Sequence, residues 1–141
     1  MNRSTYCRWV RLSALYDLLV TLPFALPGVA TLVLEQLAQA HGALGLPGAV
    51  PAFAPAHLLF VHLLGSLVVV WAVLRLARPE PRLGLADGMA RVLFAGWQGV
   101  YLLSGQISPL VWGFFVPELA FALVQLLGYL RLSPAARVGQ L

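Results

Sequence analysis

The chain has 141 residues, of which 60% are hydrophobic and only 10% are charged, and its mean hydropathy is +0.86. A soluble domain of this size needs a far more polar surface, so the composition indicates an integral membrane protein that forms one domain over residues 1–141. Nine arginines and five acids give a net charge of +4. The arginines occur singly between apolar runs, which indicates membrane topology and argues against a nucleic-acid partner.

Four apolar stretches predict an all-α, integral membrane four-helix bundle, because each is close to the length that crosses a hydrocarbon layer of about 30 Å. The spans lie near residues 12–34, 56–76, 89–107 and 109–130. Pro23 and Pro27 each remove a helical hydrogen bond, so we expect a kink in the first span. A signal peptide ending near residues 28–30 is an alternative, but Asp17 and the two prolines fit it poorly.

The connection between the second and third spans is predicted to be irregular. Residues 78–82 read Arg-Pro-Glu-Pro-Arg, a stiff charged turn, and residues 84–88 read as a loop that ends in Asp87, a plausible helix N-cap. Gly84 and Gly88 have the spacing of a helix-packing motif. Because they lie outside the apolar run, we interpret them as turn residues.

The arginines predict which way the chain crosses the membrane. With the two termini and the middle connection on one side, that side holds every arginine: Arg3, Arg8, Arg11, Arg75, Arg78, Arg82, Arg91, Arg131 and Arg137. Cytoplasmic segments are enriched in arginine, so both termini are expected in the cytoplasm. The predicted location is the bacterial inner membrane, with several spans.

Each predicted span carries a polar stripe, and lipid cannot satisfy polar groups, so we expect the stripes to face the interior of the bundle. The candidate interior residues are Asp17, His62, Arg91, Gln98, Glu118 and Gln125. Asp17 and Arg91 lie at similar depth, which predicts an ion pair. Glu118 lies nine residues into the last span. An acid there costs about 2.5 kcal/mol or more, and Gln98 and Ser66 are its expected neighbours.

Some of these residues have a purely structural interpretation. Polar side chains in small bundles often make only interhelical hydrogen bonds, worth about 0.6 kcal/mol each. We favour that role for Gln98 and Gln125, and we expect His62 to be a hydrogen-bonded structural histidine. Glu118 is the candidate for function, because no basic side chain is expected at its depth.

Several kinds of site are excluded by composition. Cys7 is the single cysteine, so the chain has neither an internal disulfide nor a Cys-x-x-Cys redox pair. Haem between helices would need histidines on two facing spans, and a zinc site would need a Cys/His cluster. We therefore predict no cofactor and no metal.

The overall layout resembles the DoxX-like group of small bacterial membrane proteins. The segments that carry the resemblance are an Arg-flanked first span, RLSALYDLLVTLPFALPG, and a His-containing second span, HLLFVHLLGSLVVVWAVLRL. The resemblance implies an inner-membrane four-helix bundle that accompanies redox or oxidative-stress proteins. A second similarity is to the four-span sterol-isomerase-like fold, in which acidic residues act on an apolar ligand; Asp17 and Glu118 would fill that role here.

These features predict a non-catalytic accessory or partner-binding subunit, in contact with membrane lipids and with another membrane protein or a second copy. The alternative is a pocket protein or enzyme that acts on an apolar molecule such as a quinone or lipid, with Glu118 as proton donor or acceptor. A third hypothesis is a small oligomeric transporter. Four spans without an inverted repeat argue against a transporter that works alone.

Overall fold

The computed structural model describes residues 1–137, and the regular elements of these residues are all helical. The helices are α1 (Arg3–Ala25), α2 (Val29–Ala43), α3 (Pro55–Ala77), α4 (Pro81–Leu103), α5 (Trp112–Leu130) and α6 (Pro134–Arg137), with a single 3-10 turn at Pro109–Val111. The all-α prediction is confirmed.

Two helical segments are long and apolar enough to cross a membrane, namely Pro55–Ala77 and Pro109–Leu130. The bent pair formed by α1 and α2 makes a third if it counts as one span. α4 is not one of these segments, although it has 23 residues. It carries the charged residues Arg82, Asp87 and Arg91. Two to three spans are therefore supported, against the four predicted.

The first predicted span, residues 12–34, contains a sharp bend between two helices. α1 continues through Pro23 and ends at Ala25, and α2 leaves it at an angle of 101°. Gly28 lies in this break with φ of +80°, a backbone conformation that glycine adopts readily. The change of direction therefore lies around Pro27 rather than at Pro23, and it is much sharper than a proline kink.

α4 begins eight residues before the predicted third span. Pro81 occupies its first turn, where the missing N–H costs nothing. The loop predicted at residues 84–88 is therefore wrong, since Gly84 and Gly88 lie inside the helix. A Cβ on Gly84 would lie 2.5 Å from a methyl carbon of Val10, and one on Gly88 would lie 3.0 Å from Leu126. The two glycines thus let α1 and α5 approach α4 closely.

The helices pack mainly in two pairs, α1 with α3 and α4 with α5, and α1 also touches α4 and α5. α3 and α4 follow each other in the chain but make few close contacts. The outward surface is strongly apolar, and Leu67 of α3 and Leu103 of α4 are 65% and 83% exposed. The buried residues, by contrast, include several polar and charged side chains. Such a distribution is typical of a bundle surrounded by lipid.

Candidate functional site

Five charged side chains from four helices meet inside the bundle and form what we call the charge cluster. Its members are Asp17 of α1, Arg75 of α3, Asp87 and Arg91 of α4, and Glu118 of α5. Burying a charge is costly unless it is paired and hydrogen-bonded. The five ion pairs of the cluster meet that requirement and connect α1, α3, α4 and α5 at one level.

Asp87 accepts the most hydrogen bonds in the cluster. Its Oδ2 lies 2.5 Å from Arg75 Nη1, 3.0 Å from Arg91 Nε and 2.8 Å from Gln125 Nε2. Its Oδ1 accepts a hydrogen bond of 2.9 Å from Trp71 Nε1. The N-cap role predicted for Asp87 is therefore wrong, because the residue lies within α4, one turn before Arg91.

Asp17 is held by both arginines. Its Oδ2 accepts from Arg91 Nη2 at 2.6 Å and also from Arg75 Nη2. The ion pair predicted between Asp17 and Arg91 is present, and Arg75 completes it. Arg75, which was expected to mark the end of the second span, has no exposed side-chain surface. Its guanidinium also lies 5.5 Å from the centre of the Trp71 ring, within the range of a cation–π contact.

Glu118 also has a basic partner. Its Oε2 accepts a hydrogen bond of 3.0 Å from Arg91 Nη1. The expectation that no base lies at the depth of Glu118 is therefore wrong, because the long Arg91 side chain reaches across from α4. Arg91 thus bonds all three acids of the cluster. Neither Ser66 nor Gln98 bonds Glu118 within the described part of the chain.

Gln125 extends the cluster toward the C-terminal end of α5. Its Nε2 donates to Ser13 Oγ at 2.7 Å as well as to Asp87, and the residue is completely buried. Gln98 lies apart, seven residues after Arg91 and so about 10 Å further along α4. The Gln98 Oε1 atom is buried and has no hydrogen-bond partner among residues 1–137.

His62 has a structural position away from the cluster. Its Nδ1 lies 2.9 Å from the main-chain oxygen of Phe24. Phe24 is next to the last residue of α1, so its carbonyl has no donor in the following turn of that helix. Of the six candidates from the sequence, Asp17, Arg91, Glu118 and Gln125 therefore meet. Gln98 makes no contact with the cluster but lines the cavity next to it, and His62 lies elsewhere.

A cavity of about 580 Å³ lies next to the charge cluster, between α1, α3, α4 and α5. Asp17, Asp87, Arg91 and Glu118 border it at one end and form what we call the charged floor. Its walls are mostly apolar and include Val20, Phe24, Leu64, Val68, Phe94 and Phe114. Its volume lies within the range of about 300–1,000 Å³ that is usual for ligand pockets.

The cavity opens sideways between α3 and α4. Leu64 and Leu67 of α3 and Phe94 of α4 line it, and all three are also exposed on the outer surface. α3 and α4 make few close contacts with each other, so the two helices are separated on this side. An apolar molecule could therefore reach the charged floor without crossing the polar end of the bundle.

The interior positions of Arg75 and Asp87 were not predicted from the sequence. One signal was available for Asp87, because its spacing of four residues from Arg91 places both on one face of a continuous helix. No comparable signal marks Arg75. Within the described residues, no group of three His, Cys, Asp or Glu side chains is arranged to hold a metal ion.

Comparison with known proteins gave no match to a family model, a curated protein or a solved structure. The resemblance to the DoxX-like group therefore stays a prediction. The function has to be argued from the charge cluster and the cavity.

Proposed function

We propose that the protein is a membrane-embedded binding protein for a small apolar molecule that carries a polar group at one end, such as a quinone or a lipid. The observation that carries this proposal is the cavity of about 580 Å³, with apolar walls and a charged floor. Protein interiors are otherwise packed as densely as organic crystals. A purely structural accessory subunit, the leading expectation from the sequence, would leave this space without a use.

The proposal includes a bundle in which α1, α3, α4 and α5 all cross the membrane. α4 carries charges that are costly in a membrane span. They are compatible with a span here, because Asp87 and Arg91 face inward and are paired. The seven arginines outside the charge cluster are Arg3, Arg8, Arg11, Arg78, Arg82, Arg131 and Arg137. They lie toward the end where α1 and α4 begin and α3 and α5 end, which we assign to the cytoplasm of a bacterium.

Within the charged floor, Glu118 is the acid best placed to exchange a proton with a ligand. Its side chain is 14% exposed, more than that of Asp17 or Asp87. One of its carboxyl oxygens bonds Arg91, and the residue borders the cavity. Asp87, in contrast, uses both carboxyl oxygens within the protein. Glu118 is therefore the residue that we assign to hydrogen bonding with the bound molecule.

The test is to purify the protein from membranes in a mild detergent and to identify bound small molecules by mass spectrometry. Val68 lines the cavity, so Val68→Trp should place a bulky ring in it and obstruct binding. Val70 lies two residues away and is exposed on the outer surface, so Val70→Trp is the matched control. We expect an apolar molecule in the wild type and in Val70→Trp, and its loss from Val68→Trp. The same content in all three proteins would contradict the proposal.

A further inference from the structure

We infer that the polar group of the bound molecule is positively charged, as in a long-chain amine in its ammonium form; this inference rests on the proposed function. The first observation is the balance of charge in the cluster. Its acids are Asp17, Asp87 and Glu118, whereas its bases are Arg75 and Arg91. No other basic side chain in residues 1–137 is paired with these acids. One negative charge is therefore left over, and a cation bound at the floor would balance it.

The hydrogen-bond donors of Arg91 and Trp71 at the floor are directed at the acids of the cluster. Arg91 directs Nε to Asp87, Nη1 to Glu118 and Nη2 to Asp17. The indole N–H of Trp71, which also lines the cavity, donates to Asp87. An anionic group would thus meet acids whose arginine partners are already engaged. Such a group would be repelled by the surplus negative charge of the cluster.

Acceptors, in contrast, are available. Asp17 and Glu118 border the cavity, and each bonds its arginine partners through one oxygen, Oδ2 in Asp17 and Oε2 in Glu118. The other oxygen of each carboxyl group accepts no hydrogen bond from the described residues. An ammonium group has three donors and no acceptor, so it matches this pair of oxygens.

The aromatic lining favours the same class of ligand. Tyr16 and Trp71 border the cavity beside the acids, and Phe94 lies one turn further along α4 than Ala90, which also lines it. Aromatic ring faces attract cations, most strongly where water is excluded. The apolar walls beyond them would hold a hydrocarbon tail. The site therefore suits an amphiphile with a cationic head and an aliphatic or aromatic body.

The test uses three amphiphiles with the same tail, namely dodecylamine, dodecanol and dodecanoate, at equal concentration and mildly alkaline pH. Native mass spectrometry of the full chain counts each bound species, and Val68→Trp shows how much adsorbs outside the cavity. We expect cavity-dependent binding in the order amine, alcohol, carboxylate, with the amine favoured over the alcohol by about tenfold, equivalent to about 1.4 kcal/mol. Glu118→Gln should remove the preference for the amine over the alcohol, so that the ratio of the two bound species falls to about one.

Two outcomes separate the inference from the proposed function. If all three amphiphiles bind the cavity equally, or if dodecanoate binds best, the assignment of a cationic head is overturned while a binding cavity stands. If wild type and Val68→Trp take up the three species alike, the proposed function fails and the inference fails with it. Retention of the amine preference in Glu118→Gln would also overturn the inference.

Discussion

Arg75 of α3 and Asp87 of α4 form a buried ion pair, with Arg75 Nη1 2.5 Å from Asp87 Oδ2. These two helices make few other close contacts, so this pair and the hydrogen bond from Trp71 to Asp87 connect them at the base of the lateral opening. The cluster therefore both closes the bundle at one end and supplies the charged floor of the cavity.

Loss of Arg75 should destabilise the protein strongly. Among residues 1–137, Arg75→Met leaves Asp87 and Asp17 with Arg91 as their only basic partner, and breaking a buried ion pair from one side costs about 3–5 kcal/mol. The measurement is the free energy of unfolding in detergent. Arg78→Met is the matched control, because Arg78 is exposed just after α3, and it should change stability by about 0.5 kcal/mol or less. Equal losses in the two variants would contradict the assigned role of Arg75.

The acids of the cluster should differ in their contribution to stability. Asp87→Asn removes the charge that two arginines share, and we expect a loss of about 3 kcal/mol or more. Glu118→Gln keeps an acceptor for Arg91 and replaces an acid with one ion-pair partner, so a loss of about 1 kcal/mol or less is expected. Parallel thermal unfolding of the two variants measures the difference. A larger loss in Glu118→Gln would show that Asp87 is not the residue on which the cluster depends.

Gly84 and Gly96 provide a matched pair on α4. A Cβ at Gly84 would collide with Val10 and Tyr6 of α1, whereas a Cβ at Gly96 meets no atom within 4 Å. Gly84→Ala should therefore lower the unfolding temperature. Gly96→Ala should leave it unchanged or raise it, because alanine favours helix over glycine by about 1 kcal/mol. If both variants behaved alike, the close approach of α1 to α4 at Gly84 would be wrong.

His62 should stabilise the bend between α1 and α2. His62→Phe leaves the Phe24 carbonyl without the hydrogen bond that it shares with Nδ1, which costs about 1–3 kcal/mol when the group is buried. Leu63, an exposed neighbour of His62 on the same helix, provides the control Leu63→Phe. The stability of both variants is read from thermal unfolding in detergent. An intact unfolding temperature in His62→Phe would remove the assigned role.

The fold was partly predictable from sequence because helical periodicity fixes which residues share a face. Asp17 and Arg91 lie in segments whose depth and register can be counted, so their pairing could be anticipated. Arg75 and Asp87 could not be placed in the same way. Each lies near the end of an apolar run. An arginine there is explained as well by a topology signal as by an interior ion pair, and an aspartate there is explained as well by a helix cap. Which way such a side chain points depends on its neighbours in the folded bundle.

Neither the start of α4 nor the cavity could be predicted from the sequence, for a related reason. Hydropathy excludes the charged residues 78–88 from a span, although Pro81 can begin a helix and the charge of Asp87 is neutralised from α3. The cavity depends on the separation of α3 from α4. α1 and α5 approach α4 closely at Gly84 and Gly88, whereas α3 makes few contacts with α4. Spacing within one segment carries no information about such distances.

The central claim is that two arginines, Arg75 and Arg91, lie inside the bundle and neutralise acids there. The most direct measurement is hydrogen exchange of the arginine guanidinium protons by NMR of the protein in lipid nanodiscs, with signals assigned through Arg75→Lys and Arg91→Lys. We predict that the guanidinium protons of these two residues exchange slowly, and that those of the six exposed arginines exchange at rates set by the solvent, namely Arg3, Arg8, Arg11, Arg78, Arg82 and Arg131. Solvent-like exchange at Arg75 and Arg91 would contradict the account.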